Sequence, residues 1–167
     1  MTLNDLLPHA KKVADQLTSR SHTIAVAESA AGGLITAALL AQPGASAYCR
    51  GGAVLYTRAA LSALARIPEE RFSTMRGATE DYAMFIARTI RQQYGTYWAI
   101  GESGAAGPTG NRYGDAPGHA CFAISGPIER TMTLETGSSD RIANMHAFAQ
   151  AALKLLVDCL ASPAQKS

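Results

Sequence analysis

No CxxC pair occurs in the chain, and its three cysteines, Cys49, Cys121 and Cys159, stand far apart. That scarcity excludes a disulfide framework and the ligand spacing of a zinc site, and their small or apolar neighbours mark them as buried free thiols. Charge is sparse too: 17% of residues are charged and the formal balance is +2. The eleven arginines are scattered and form no basic block, so the electrostatic footprint of a nucleic-acid partner is missing. No apolar run approaches the ~20 residues that cross a bilayer; the longest without glycine lies around Leu34 to Ala41. The start, MTLNDLLPHAKK, has an acid before its lysines and no apolar core, so it is no secretory signal. A cytoplasmic protein without nucleic-acid or membrane partners is therefore expected. A Ser-His-Asp set is absent from the pattern as well. His9, His22, His119 and His146 are dispersed, and Lys11, Lys12, Lys154 and Lys166 belong to terminal helices or tail.

What is present is enough apolar residue, 47% of 167, for one domain with a real core. Leu3, Leu6, Leu7, Ala10, Val13, Ala14 and Leu17 recur at helical spacing, so the first twenty residues predict an amphipathic helix. Thr23 to Ala27 reads as a short strand that runs through Glu28, Ser29 and the pair Gly32-Gly33 into a second helix, stopped by Gln42-Pro43-Gly44. A strand passing through glycines into a helix start points several N–H groups at one spot, which favours an anion. The plainer alternative is a tight turn with a serine cap. Further strands are expected at Gly51 to Tyr56, Thr96 to Gly101, His119 to Ile124 and Arg130 to Glu135, with a hairpin turn at Ser125-Gly126-Pro127. Helical turns are expected at Arg58 to Arg66 and Glu69 to Met75, a helix from a Thr79 cap to about Tyr94, and a last helix from about Ser139 to Leu160. Alternating strands and helices followed by a hairpin predict a three-layer α/β/α sandwich on a mostly parallel sheet with an antiparallel edge.

Two stretches offer chemistry. Six of the fifteen glycines fall between Gly101 and Gly118, where GESGAAGPTGNRYGDAPG exposes backbone donors that suit an oxyanion or phosphate; a mobile surface loop is the competing reading. Glu28-Ser29 and Glu102-Ser103 then mark two strand exits facing one crevice at the carboxyl edge of the sheet. Ser46 and Tyr56 flank another apolar strand, but a serine hydroxyl needs a base to act as a nucleophile.

The stretches AESAAGG, GASAYCRGGAVLYTRAAL and SGAAGPTG, followed by PG and a strand, resemble the C-terminal domain of the competence/damage-inducible CinA family. The similarity runs through nearly the whole chain, in order. It implies a single CinA C-terminal-like domain over residues 1–167, a homo-oligomer, and hydrolysis of nicotinamide mononucleotide to nicotinic acid mononucleotide and ammonia without metal or cofactor. It also implies Ser-Lys chemistry assisted by a tyrosine. By position, Ser29 and Ser46 correspond to the two family serines, with Ser46 the preferred nucleophile, and Tyr56 to the tyrosine. Gly32, Gly33, Ser103, Gly104, Ala106, Gly107, Pro108 and Arg141 correspond to substrate-binding positions. The family lysine, however, is Leu61 here, and Ala30 and Ala31 replace Cys and Thr. Leu61 accepts no proton, Arg58 stays protonated, and His119 is a candidate substitute base, although a lone histidine is more often structural. Weak or lost amidohydrolase activity is expected, with a non-catalytic nucleotide-binding or regulatory paralogue as the alternative.

Overall fold

The computed structural model describes residues 1–162, and its centre is a strand with no solvent-facing side. β1 (Ile24–Glu28) is buried along its whole length, as suits the middle of a sheet covered on both faces. β2 (Cys49–Val54) pairs with it in parallel on one side, and β3 (Trp98–Ala105) in parallel on the other. β4 (His119–Ser125) and β5 (Arg130–Glu135) add antiparallel neighbours, giving the order β2-β1-β3-β4-β5. Four strands therefore run one way and β4 alone runs back. The expected three-layer α/β architecture with a hairpin edge is the one observed.

Side-chain alternation decides the layers. Ile24, Val26, Trp98 and Ile100 pack with residues of α1 (Leu7–Ser19), α2 (Leu34–Leu40) and α5 (Arg141–Ala161). Ala25, Ala27 and Ala99 face the other way, onto α3 (Arg58–Ala65) and α4 (Glu80–Tyr94). Small residues on that second face let α4 lie close to β3. A Cβ on Gly101 would overlap the carbonyl oxygen of Ala83. Each fully buried Ile, Leu or Phe contributes roughly 1.5–3 kcal/mol, and Phe122, Phe148, Ile35 and Leu39 are among those sealed on the first face.

The differences from expectation lie at element ends. The first helix is split, with a 3-10 turn over Leu3–Leu6 before α1, because Pro8 starts the α-helix where a missing N–H costs nothing. β2 begins two residues early, at Cys49. β3 runs on to Ala105, so Ser103 and Gly104, read as loop, belong to a ladder with β4; Gly104 is required there, since a Cβ would come within 2.6 Å of the His119 carbonyl oxygen. Glu69–Arg71 is only a 3-10 turn, and the chain from there to Ala78 is irregular. α5 starts at Arg141, because the Asp140 side chain accepts the Ala143 N–H and caps it. All three cysteines are free and buried, and no helix among the described residues is long and apolar enough to cross a membrane.

Candidate functional site

At the carboxyl edge of the sheet, alternation sends the two strand exits in opposite directions. Ser29 and Ser103 follow Ala27 and Gly101 onto the α4 side, while Glu28 and Glu102 point beneath α2. The N–H groups that seemed free for a ligand are taken by these carboxylates. Glu28 accepts from Gly33 N at 3.0 Å, Ile35 N at 3.1 Å and Thr36 N at 3.0 Å, and also from the Thr36 hydroxyl. Glu102 Oε2 accepts from Ser29 N at 2.8 Å and Ala31 N at 3.0 Å. The anion favoured by the helix start is thus the protein's own Glu28. Burial raises the pKa of both acids, Glu102 to about 7, although the same hydrogen bonds oppose the rise.

Above Ser29 and Ser103 opens a cleft of about 350 Å³, walled by Leu55, Tyr56, Tyr82 and the turn Asn111–Tyr113. A second hollow of about 230 Å³ shares Tyr56, Gly104 and Asn111 with it and extends along Ala106 and Gly107 to Arg141. Of the positions taken from the sequence, the cleft gathers Ser29, Tyr56, Ser103, Gly104, Ala106, Gly107 and Arg141. Arg141 ties the mouth together, donating to the Gly107 carbonyl at 2.6 Å and the Tyr56 hydroxyl at 3.0 Å. Gly32, Gly33 and Pro108 do not line it. Gly32 is exposed and Gly33 is bonded to Glu28.

Ser46 is not brought there. It sits on the exposed 3-10 turn Ala45–Ala47 before β2, at the amino edge of the sheet, and the six residues of β2 span about 20 Å. A single chain therefore presents Ser29, and not Ser46, beside Tyr56. Leu61 is fully buried with Leu55, Phe72 and Tyr82 under the cleft wall, and does not line the opening. Its helix contributes Thr57, whose hydroxyl caps α3 through Ala60 N at 3.1 Å, and Arg58. Arg58 donates to the carbonyls of Phe72, Ser73 and Met75, which pins the irregular segment before α4 against the cleft.

The electrostatics of the lining are one-sided. Arg58, Arg112 and Arg141 line the joined cleft, and no Asp or Glu does. Among the described residues no Lys or His lines it either. Lys11 and Lys154 pair with Asp15 and Asp158 on α1 and α5, and Lys166 lies outside the described residues. His119 stands just behind the wall, with Nδ1 on the Glu135 carboxylate and Nε2 on the Ala78 carbonyl at 2.8 Å. Burial lowers its pKa, but the bonds to Glu135 and Ala78 outweigh that and hold it above the usual value. An imidazole donating from both nitrogens already carries its proton, so His119 is a poor general base. Cys121 lies beside it, 3.6 Å from Nε2, yet that thiol is buried and burial raises its pKa; the Cys-His-Glu arrangement offers no reachable nucleophile.

Sequence reasoning missed Asn111, Arg112, Tyr113 and Tyr82 as site residues. The glycines around Asn111 drew attention to backbone donors, while the side chains between them carried the only outward signal.

Residues 7–160 match the family model described as the CinA C-terminal domain. A CinA-like protein of Acidobacterium capsulatum is 33% identical over 140 residues, which is 84% of this chain and 34% of that protein. One of Prochlorococcus marinus is 37% identical over 111 residues, 66% of this chain and 26% of the relative. The chain thus spans about a third or less of the curated relatives it matches. Among solved structures, the competence-damaged protein (CinA) superfamily protein of Enterobacter cloacae superposes with a TM-score of 0.85 at 26% identity, covering 93% of this chain and 92% of that one. A competence damage-inducible protein of Klebsiella pneumoniae gives 0.86 at 26% identity, with 93% and 97% covered. Motifs, sheet order and these similarities agree: the chain belongs to the CinA C-terminal domain family.

Proposed function

We propose that the carboxyl-edge cleft binds a pyridine mononucleotide and that hydrolysis of its carboxamide is weak or lost. The observation that carries the reading is the lining: three arginines, two serine hydroxyls and three tyrosines, with no carboxylate among the described residues. Such a wall favours an anionic ligand, because guanidinium groups pair with phosphate oxygens and nothing of like charge opposes them. In this reading Ser29 is the nucleophile. Its Oγ would attack the carboxamide carbon and ammonia would leave, after which water would release nicotinic acid mononucleotide. Tyr56, held by Arg141, would face the reacting group.

The step that fails is proton removal from Ser29. A positioned base contributes about 10²- to 10⁴-fold, and the family lysine position is a buried leucine. The second reading, a nucleotide-binding or regulatory paralogue without turnover, is favoured by this same feature. A homo-oligomer belongs to the proposal, supported by the exposed apolar side chains of Val54, Tyr56 and Ile142 near the mouth. Thermal-shift measurements with pyridine mononucleotides, run beside an ammonia assay, test the function. Stabilisation by nicotinamide mononucleotide with little ammonia is expected. No stabilisation by any pyridine nucleotide would remove the ligand from the account.

A further inference from the structure

Two of the three cleft arginines are already engaged within the protein. Arg58 donates to three backbone carbonyls, and Arg141 to Gly107 and Tyr56. Arg112 differs. Its one hydrogen bond runs from Nη2 to the Tyr113 hydroxyl at 2.8 Å, and among the described residues it pairs with no carboxylate. Its remaining donors are uncommitted.

The turn that carries it is built to hold still. Asn111 Oδ1 accepts from Tyr113 N at 3.0 Å and Asp115 N at 3.1 Å, and Asn111 Nδ2 donates to the Asp115 carboxylate at 2.8 Å. Arg76 pairs with that carboxylate and so fixes the turn to the segment before α4. The Tyr113 ring lies under two guanidinium groups, with Arg112 Cζ 4.9 Å and Arg76 Cζ 5.6 Å from its centroid. Its edge rests on Gly77, where a Cβ would come within 3.3 Å of Cε2. Arg112 is therefore stacked and oriented before any ligand arrives, which reduces the ordering cost of binding. Because the Tyr113 oxygen accepts from Arg112, its own O–H is left to donate. The Arg112 bond leads the effects that lower the Tyr113 pKa, and a more acidic phenol is a stronger donor to an anionic oxygen.

We infer that Arg112 and Tyr113 form the phosphomonoester seat of the cleft and make it select a mononucleotide over the corresponding nucleoside. The inference rests on reading the cleft as a pyridine-ribotide site. It replaces the seat expected at the turn into α2, where Glu102 takes the N–H groups of Ser29 and Ala31 and Glu28 those at the helix start. The uncommitted guanidinium donors and a phenol match the several acceptor oxygens of one phosphate.

Calorimetric titration of the wild type, Arg112→Ala, Arg112→Lys and Tyr113→Phe tests it, using nicotinamide mononucleotide, nicotinamide riboside and ribose 5-phosphate. The wild type should prefer the mononucleotide over the riboside by roughly 10- to 100-fold, the strength of a charge-assisted hydrogen bond or two. Arg112→Ala should erase that preference while leaving riboside affinity unchanged. Arg112→Lys should restore part of it, and Tyr113→Phe should reduce it. Arg112 is exposed, so the melting temperature should not move. A preference that survives in Arg112→Ala overturns the inference, as does a wild type that binds both ligands equally. Arg112-dependent binding of ribose 5-phosphate without tighter binding of the mononucleotide would keep the seat and discard the pyridine ligand. Failure of all three ligands to bind would discard both.

Discussion

Glu102 lies beneath the candidate nucleophile with one carboxylate oxygen bonded to two backbone amides and the other, Oε1, without a partner among the described residues. Burial pushes its pKa from 4.5 up to about 7. Below pH 4.5 the folded and unfolded chains both hold this proton. Between about 4.5 and 7 the folded chain keeps it while the unfolded chain releases it, so stability from this group falls as pH rises through that window. Glu102→Gln retains an acceptor for Ser29 and Ala31 but has no charge to bury. It should match the wild type in acid and exceed it above pH 7, by up to roughly 3 kcal/mol. Denaturant unfolding of both proteins at several pH values measures the difference. A difference that does not change with pH would mean that Glu102 titrates alike in the folded and unfolded chains and that burial does not raise its pKa. The two Glu-Ser pairs were legible as strand exits at one edge, but the role of each member was not. Only the strand phase shows that the serines face the cleft while Glu28 fills the helix start and Glu102 the turn before it.

At the scale of elements, α4 is placed by what β3 lacks. Gly101 sits where the Ala83 carbonyl of α4 crosses the strand, and a methyl group there would meet backbone, which cannot rotate away. Gly101→Ala should push the helix outward and cost about 1–3 kcal/mol or more. Because the start of α4 and the segment before it frame the cleft, ligand affinity should fall in the same variant. Circular dichroism melting and ligand titration would check both, and an unchanged melting temperature would contradict the close approach. The identity of every strand and of the long helices was readable from period and turn residues. Their ends were not, because the ladder between β3 and β4 carries strand structure past Gly101, and no local pattern reports a partner 18 residues away. The same blindness affected Ser46 and Leu61. Position in the motif said which residues correspond, whereas the direction of β2 decides that Ser46 stands at one edge and Tyr56 at the other.

For the whole molecule, the account joins an anion-binding cleft to a missing proton acceptor. Leu61→Lys probes the second half directly. An amine placed among Leu55, Phe72 and Tyr82 would be desolvated and hence driven toward its neutral, basic form. The variant should be less stable, yet it should release ammonia from nicotinamide mononucleotide about 10²- to 10⁴-fold faster than the wild type. Unchanged turnover in a folded Leu61→Lys protein would show that more than this base has been lost. The most direct test of the central claim is a calorimetric titration of the wild-type chain with nicotinamide mononucleotide, followed by ammonia measurement on the same sample. The account predicts saturable binding with ammonia release at least about 10²-fold slower than in a lysine-bearing family member. Release at that member's rate, or no binding at all, would contradict it.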